Sequence, residues 1–150
     1  MATKKLFFED VKEGDEIPTF EVRSLTRTDI VKYAGASGDF NPMHHDQTFA
    51  EAAKYPTVFA HGMLNAAFVG KCLTGYVGRP ALRKFKVRFT SQVWPGDTIT
   101  CDGKVTRKFE ENGEKRIEGE LFAKNQKGET VIQGAFVAAL PSRLERARPA

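Results

Sequence analysis

Asp39 and His44 stand five residues apart in Ser37-Gly38-Asp39-Phe40-Asn41-Pro42-Met43-His44. A carboxylate and an imidazole aimed at one small volume can move a proton onto and off neighbouring atoms, which is general acid–base chemistry. The residues between them bear on whether they can share that volume. Gly38 admits unusual backbone angles, while Pro42 fixes its own φ and biases Asn41 away from the helical region. The segment therefore predicts a rigid loop rather than a helix or strand. An isolated Asp or His in a loop is most often a cap or a surface group, and the whole pattern weighs against that bland reading.

A second group of residues follows at Ala60-His61-Gly62-Met63-Leu64. It opens the most apolar helical stretch in the chain. Helix N-termini present free N–H groups and favour negative charge, so the Gly62 N–H is a candidate donor to a developing oxyanion. A glycine there lets a ligand approach the backbone closely. His61 reads as structural or as a pocket wall. His45 receives no role. His44 and His45 are adjacent and His61 comes sixteen residues after His45, which is no recognisable zinc spacing, and no paired cysteines accompany them. No metal and no cofactor is expected.

The elements that must hold these groups can be read in outline. Residues 1–15 form a leading arm that ends in a turn at Glu13-Gly14-Asp15. Residues 16–24 read as a strand with Ile17, Phe20 and Val22 apolar. Thr26 and Asp29 have capping-box spacing, and the helix they open carries Ile30, Val31, Tyr33 and Ala34 inward. A short helix over 47–54 is capped by Asp46 and stops before Pro56. Residues 61–76 form a central helix, apolar on nearly all sides and so expected to be buried. In 83–93, Phe85, Val87, Phe89 and Val93 alternate with polar residues, predicting a strand with one dry face. Pro95-Gly96-Asp97 turns the chain, and strands follow over 98–109, 115–125 and 129–139. Asn112-Gly113 marks a tight hairpin. One buried helix followed by a four-strand meander gives an α+β class, an antiparallel sheet covering a helix. The tail from Pro141, with Arg143, Arg146 and Arg148, is expected to be mobile.

A chain of 150 residues with 41% hydrophobic content suits one domain, spanning 1–150 with a core over about 16–140 and a basic tail. It has no apolar run of about 18 residues, the length a membrane span needs. Its first ten residues lack the apolar core of a secretion signal. The two cysteines suit free thiols in a reducing cytoplasm. The net charge of +4 gives solubility, or a basic rim for an anionic partner. Lys84, Lys86 and Arg88 form a basic stripe that is a solvated face or a carrier contact. No arginine–aromatic cluster points to nucleic acid.

The stretch Tyr33–His44, with its Ser-Gly-Asp-x-Asn-Pro-x-His pattern, and the Ala60–Leu64 block closely resemble the MaoC-like (R)-specific enoyl-thioester hydratases. The resemblance spans about Thr26 to Leu140. It implies a single hotdog fold, a sheet wrapped around a long central helix. It implies reversible hydration of trans-2-enoyl thioesters to (3R)-hydroxyacyl thioesters, without cofactor. Asp39 would be the main base for the water, with His44 its partner in proton transfer. Gly62, Asn41 and His61 would be the oxyanion or substrate-binding residues, Asn41 bracing the loop or polarising one of the pair. Phe40, Met43, Tyr55, Phe59 and Phe68 are candidates to close the acyl tunnel. The resemblance also implies a homodimer or higher homo-oligomer, or a heterodimer in which this chain is the active member. The rival readings are a thioesterase and a non-catalytic acyl-binding subunit. Gly62–Tyr76 contains no Asp or Glu, which counts against the first, and retention of both Asp39 and His44 counts against the second.

Overall fold

The computed structural model describes residues 5–144. Its helices start where the sequence chemistry predicts. Thr26 Oγ1 accepts from the Asp29 N–H at 3.1 Å, and Asp29 Oδ2 accepts from the Thr26 N–H at 2.9 Å. This box opens α1 (Arg27–Ser37), which ends at Gly38 in the left-handed conformation, φ +73°. Ile30 and Ala34 are buried and Tyr33 is half-buried, but Val31 is 54% exposed, contrary to expectation. The helix lies on the outside of the fold and has one narrow inner stripe. Asp46 Oδ1 accepts from the Phe49 N–H at 3.0 Å and caps α2 (Gln47–Ala52), two residues shorter than expected.

The central helix α3 (Gly62–Val77) has His61 as its N-cap. It is not buried on all sides. Leu64, Asn65, Ala66, Val69, Cys72, Leu73 and Val77 are buried, whereas Met63 is 61% exposed and Ala67 and Lys71 also face out. The sheet of one chain covers only one side of the helix.

That sheet has five antiparallel strands: β1 (Glu16–Val22), β2 (Leu82–Phe89), β3 (Ile99–Glu111), β4 (Glu114–Lys124) and β5 (Thr130–Ala139). Their spatial order is β1-β3-β4-β5-β2. Only β3, β4 and β5 form a meander, so the expected four-strand meander is corrected. β2 pairs with β5 at the far edge, and residues 90–98 carry the chain across to β3 instead of making a hairpin. Leu25 fastens this linker, donating its N–H to Asp97 O at 2.8 Å and accepting from the Gly96 N–H at 2.6 Å. Val93 lies in the linker, not in a strand, and is fully buried. The dry face expected of β2 is half open, with Phe85 37% and Phe89 49% exposed, because this is an edge strand.

Register explains how the sheet closes on α3. In β1 the pairing slips between Ile17 and Phe20, so residues three apart both pack on the core. Across the sheet, Ile17, Gly103, Leu121, Gly134 and Val87 lie in one row. A neighbouring row runs Val105, Gly119, Phe136, Phe85. In the first row glycine alternates with bulk, and in the second Gly119 lies between Val105 and Phe136. A Cβ on Gly119 would lie 2.5 Å from the Phe136 ring and 2.3 Å from Lys104 O, so the ring occupies the space a side chain would need. The hairpin at Asn112-Gly113 has positive φ at both residues, +53° and +75°, as a tight two-residue turn requires.

The start of the tail is packed rather than mobile. Pro141 O accepts from the Phe8 N–H at 3.0 Å, Ser142 is 2% exposed and bonds Glu9, and Arg143 pairs with Asp10 at 2.8 Å. Arg146 and Arg148 lie outside the described residues.

Candidate active site

The loop after α1 is held by a relay of short-range hydrogen bonds. Ser37 Oγ donates to Tyr33 O at 2.8 Å and accepts from the Asp39 N–H at 3.2 Å. Asp39 Oδ1 accepts from the Asn41 N–H at 3.2 Å, and Asn41 Oδ1 accepts from the Met43 N–H at 3.0 Å. Such side-chain-to-backbone bonds offer the chain an alternative to helix or strand. The Asn41 side chain caps the 3₁₀ turn Pro42–His44. His45 Nε2 donates to Phe40 O at 3.1 Å, so this neighbour is occupied in the loop's own structure.

The fold adds His61 to the pair. Asp39, His44 and His61 each offer a carboxylate or ring atom within 4.8 Å of the others. The imidazoles of His44 and His61 lie 3.9 Å apart, centroid to centroid, inclined by 31°. His44 Nδ1 is 2.7 Å from Phe59 O. A carbonyl only accepts, so Nδ1 carries the proton and Nε2 is left with a lone pair. His61 is 1% exposed, packs against Tyr33, and donates from Nε2 to the backbone carbonyl of Asp39 at 3.0 Å. It thereby ties the start of α3 to the loop that bears the carboxylate. Burial pushes the His44 pKa below the usual histidine value, with the Phe59 carbonyl partly opposing it. His44 is therefore neutral at pH 7 and able to accept a proton.

The same three residues have the donor types of a metal centre, which sequence spacing alone did not reveal. One nitrogen of each ring is committed to a backbone carbonyl, and the other is left for a proton or a ligand.

Phe59 lies edge-on to His44 at 5.2 Å and belongs to an aromatic cluster with Tyr55 and Trp94. Phe40 is 64% exposed, and Phe68 is half-buried against the core. Gly62 is the first residue of α3. The first N–H groups used within the helix are those of Leu64 and Asn65, both donating to His61 O. The N–H groups ahead of them, at Gly62 and Met63, have no carbonyl a turn earlier to bond, as at any helix N-terminus. A cavity of about 270 Å³ begins at Gly62 and is lined also by Phe59, Asn65 and Phe89. Sequence reasoning passed over Asn65 and Phe89, since nothing in their local spacing separates them from ordinary packing residues.

Two further clamps hold the site. Arg27 Nη2, at the start of α1, donates to Gln47 Oε1 at 2.8 Å and to Thr57 Oγ1 at 2.7 Å. The Ala60 N–H donates to Val93 O at 2.8 Å, fixing the approach to α3 against the linker.

Residues 10–127 match the family described as MaoC like domain. The chain belongs to the MaoC-like family. An (R)-specific enoyl-CoA hydratase of Rhodospirillum rubrum is 32% identical over 139 residues, covering 91% of this chain and 93% of that one. The peroxisomal hydratase-dehydrogenase-epimerase of Saccharomyces cerevisiae is 40% identical over 84 residues, 56% of this MaoC-like chain but 9% of that much longer protein. Among solved structures, the R-hydratase PhaJ1 of Pseudomonas aeruginosa in its unliganded form superposes with a TM-score of 0.81 at 25% identity, covering 93% of this chain and 88% of that one. The MaoC-like chain thus has the hotdog fold, its sheet curved about α3. Among the described residues no helix is long and apolar enough to cross a membrane.

Proposed function

We propose that this chain is an enoyl-thioester hydratase, a hydro-lyase that adds water to trans-2-enoyl thioesters to give (3R)-hydroxyacyl thioesters and also runs the reverse dehydration. The observation that carries the reading is the meeting of the Asp39 carboxylate and the His44 imidazole beside the N-terminus of α3. The likeness to the Rhodospirillum rubrum hydratase over 91% of this chain supports the substrate class.

In this mechanism a water sits between the Asp39 carboxylate and His44 Nε2. As its oxygen bonds to carbon 3, it gives one proton to the pair, with Asp39 the main base. The double-bond electrons move onto the thioester as an enolate, whose oxygen accepts from the Gly62 N–H. The pair then returns one proton to carbon 2. One water is consumed and no electrons are exchanged, so the balance calls for no redox cofactor. His61 holds the Asp39 backbone, and Asn41 keeps the His44 turn in place.

The working unit is a dimer. Edge strand β2, with exposed Phe85 and Phe89, and the uncovered face of α3 around Met63 are surfaces a second hotdog chain can cover. Light scattering in solution should give twice the 16.7 kDa chain mass or more; a monomer at working concentration would defeat this. Exposed Lys84, Lys86 and Arg88 on β2 suit the anionic carrier, coenzyme A or a carrier protein. The free thiols Cys72 and Cys101 suit a reducing compartment such as the cytoplasm.

The test is loss of enoyl-thioester absorbance on mixing the protein with crotonyl-CoA and a longer trans-2-enoyl-CoA. Turnover to the (R)-product, lost in Asp39→Asn, is expected. Equal turnover in the variant would sink the assignment.

A further inference from the structure

Asn65 is the buried polar residue of α3 that the reaction above leaves unused. It is 3% exposed, and its Oδ1 has no hydrogen-bond partner. A buried acceptor without a donor destabilises the fold, so its presence calls for an explanation. Its position offers one. Asn65 sits one turn into the helix, its N–H on His61 O at 3.3 Å, and lines the cavity of about 270 Å³ that begins at Gly62. Phe59, whose carbonyl holds His44, lines the same cavity. Gly62, the candidate oxyanion donor, and Asn65 both line that cavity, so a molecule filling it lies against both residues.

The missing partner must be a donor. A hydrocarbon enoyl chain has no N–H or O–H. The arm that carries it does: the pantetheine end, common to coenzyme A and carrier proteins, has a secondary amide two methylenes beyond the sulfur. We propose that Asn65 is a substrate-binding residue, its Oδ1 accepting the hydrogen bond of this first pantetheine amide N–H while the thioester oxygen lies on Gly62. The inference rests on the hydratase reading for its substrate class. It assigns the cavity beside Gly62 to the carrier arm, and it gives an otherwise costly buried group a use. Thr90 and Ser91, which also line the cavity, add a polar rim suited to the same arm.

The experiment crosses a change in the protein with a change in the ligand. The saturated, unreactive thioester S-butanoyl-N-acetylcysteamine retains the amide N–H, and its N-methyl analogue lacks it. Both are titrated by two-dimensional NMR into the wild type and into Asn65→Leu, with Asn65→Ala in parallel should the leucine variant not fold. The wild type should bind the parent about three- to tenfold more tightly than the N-methyl analogue, the range for one net hydrogen bond. Each variant should bind the two alike, at the wild-type level for the N-methyl analogue. The Asn65→Leu melting temperature should be unchanged or higher, and its KM for crotonyl-CoA should rise with kcat retained. An N-methyl penalty of equal size in wild type and variants would overturn the proposal, since it would arise elsewhere. No penalty in the wild type would also overturn it, leaving Asn65 facing a bound water. Failure of the wild type to hydrate any enoyl thioester would defeat the hydratase reading alone, because the NMR comparison needs no turnover.

Discussion

His44 shows how one backbone contact sets a chemical role. Because its Nδ1 donates to Phe59 O, the nitrogen facing the cluster is a base. Its folded pKa lies below 6.5 through burial, so the unfolded chain binds more protons near and below that pH. Stability from this group is therefore complete above pH 6.5 and lost as pH falls through the folded value. For activity, the acid limb of the kcat/KM profile should have its midpoint below 6.5; a limb at or above that value would contradict the neutral-base role. Asp39→Asn should lower kcat by about 10²–10⁴ with an unchanged melting temperature, since Asp39 is exposed and its carboxylate bonds only the loop. Asp39 and His44 were legible in the sequence because one short loop carries both, with Gly and Pro fixing its course. The place of His61 in the cluster and the isolation of Asn65 were not, since both depend on how α3 docks against that loop.

At the scale of elements, helix caps and hairpins were legible because their signals lie within four residues of one another. Strand order was not. The alternation in β2 shows that it is a strand but not which neighbour it takes, and that choice follows from the route of residues 90–98 across the fold. The placing of glycine against bulk across strands was equally hidden, because a glycine's cross-strand neighbour depends on register. It leads to a sharp expectation. Gly119→Ala should destabilise the protein by roughly 1–3 kcal/mol or more, because its methyl would meet Phe136 and Lys104 O, both fixed in the sheet. Denaturant unfolding would show it as a lower midpoint. Gly62→Ala should behave differently. Its methyl would lie 3.2 Å from the ring of Phe89, a side chain that needs to give by only a few tenths of an ångström. The melting temperature should fall little while kcat/KM drops, because close approach to the helix N-terminus is lost.

On the scale of the whole molecule, the core is sealed where the sheet covers α3 and open where it does not. Burial pushes the Cys101 thiol up to about 12 and raises that of Cys72. Neither should react with Ellman's reagent at pH 8 in the native protein, and both should react in guanidinium; a fast native reaction at either would show that the core opens locally. That α3 would be central was readable from its apolar composition. That one flank would stay uncovered was not, because composition does not count the strands available to wrap it. The clamps from Arg27 to Gln47 and Thr57, and from Ala60 to Val93, bear on how the protein meets its ligand. They join α1, α2, the linker and the approach to α3 before any substrate arrives. The entropy of fixing Asp39 and His44 is thus lost once, when the chain folds, and not again at each encounter. A thioester of only a few carbons has little surface with which to order a loop, and in this protein it meets a loop already in order.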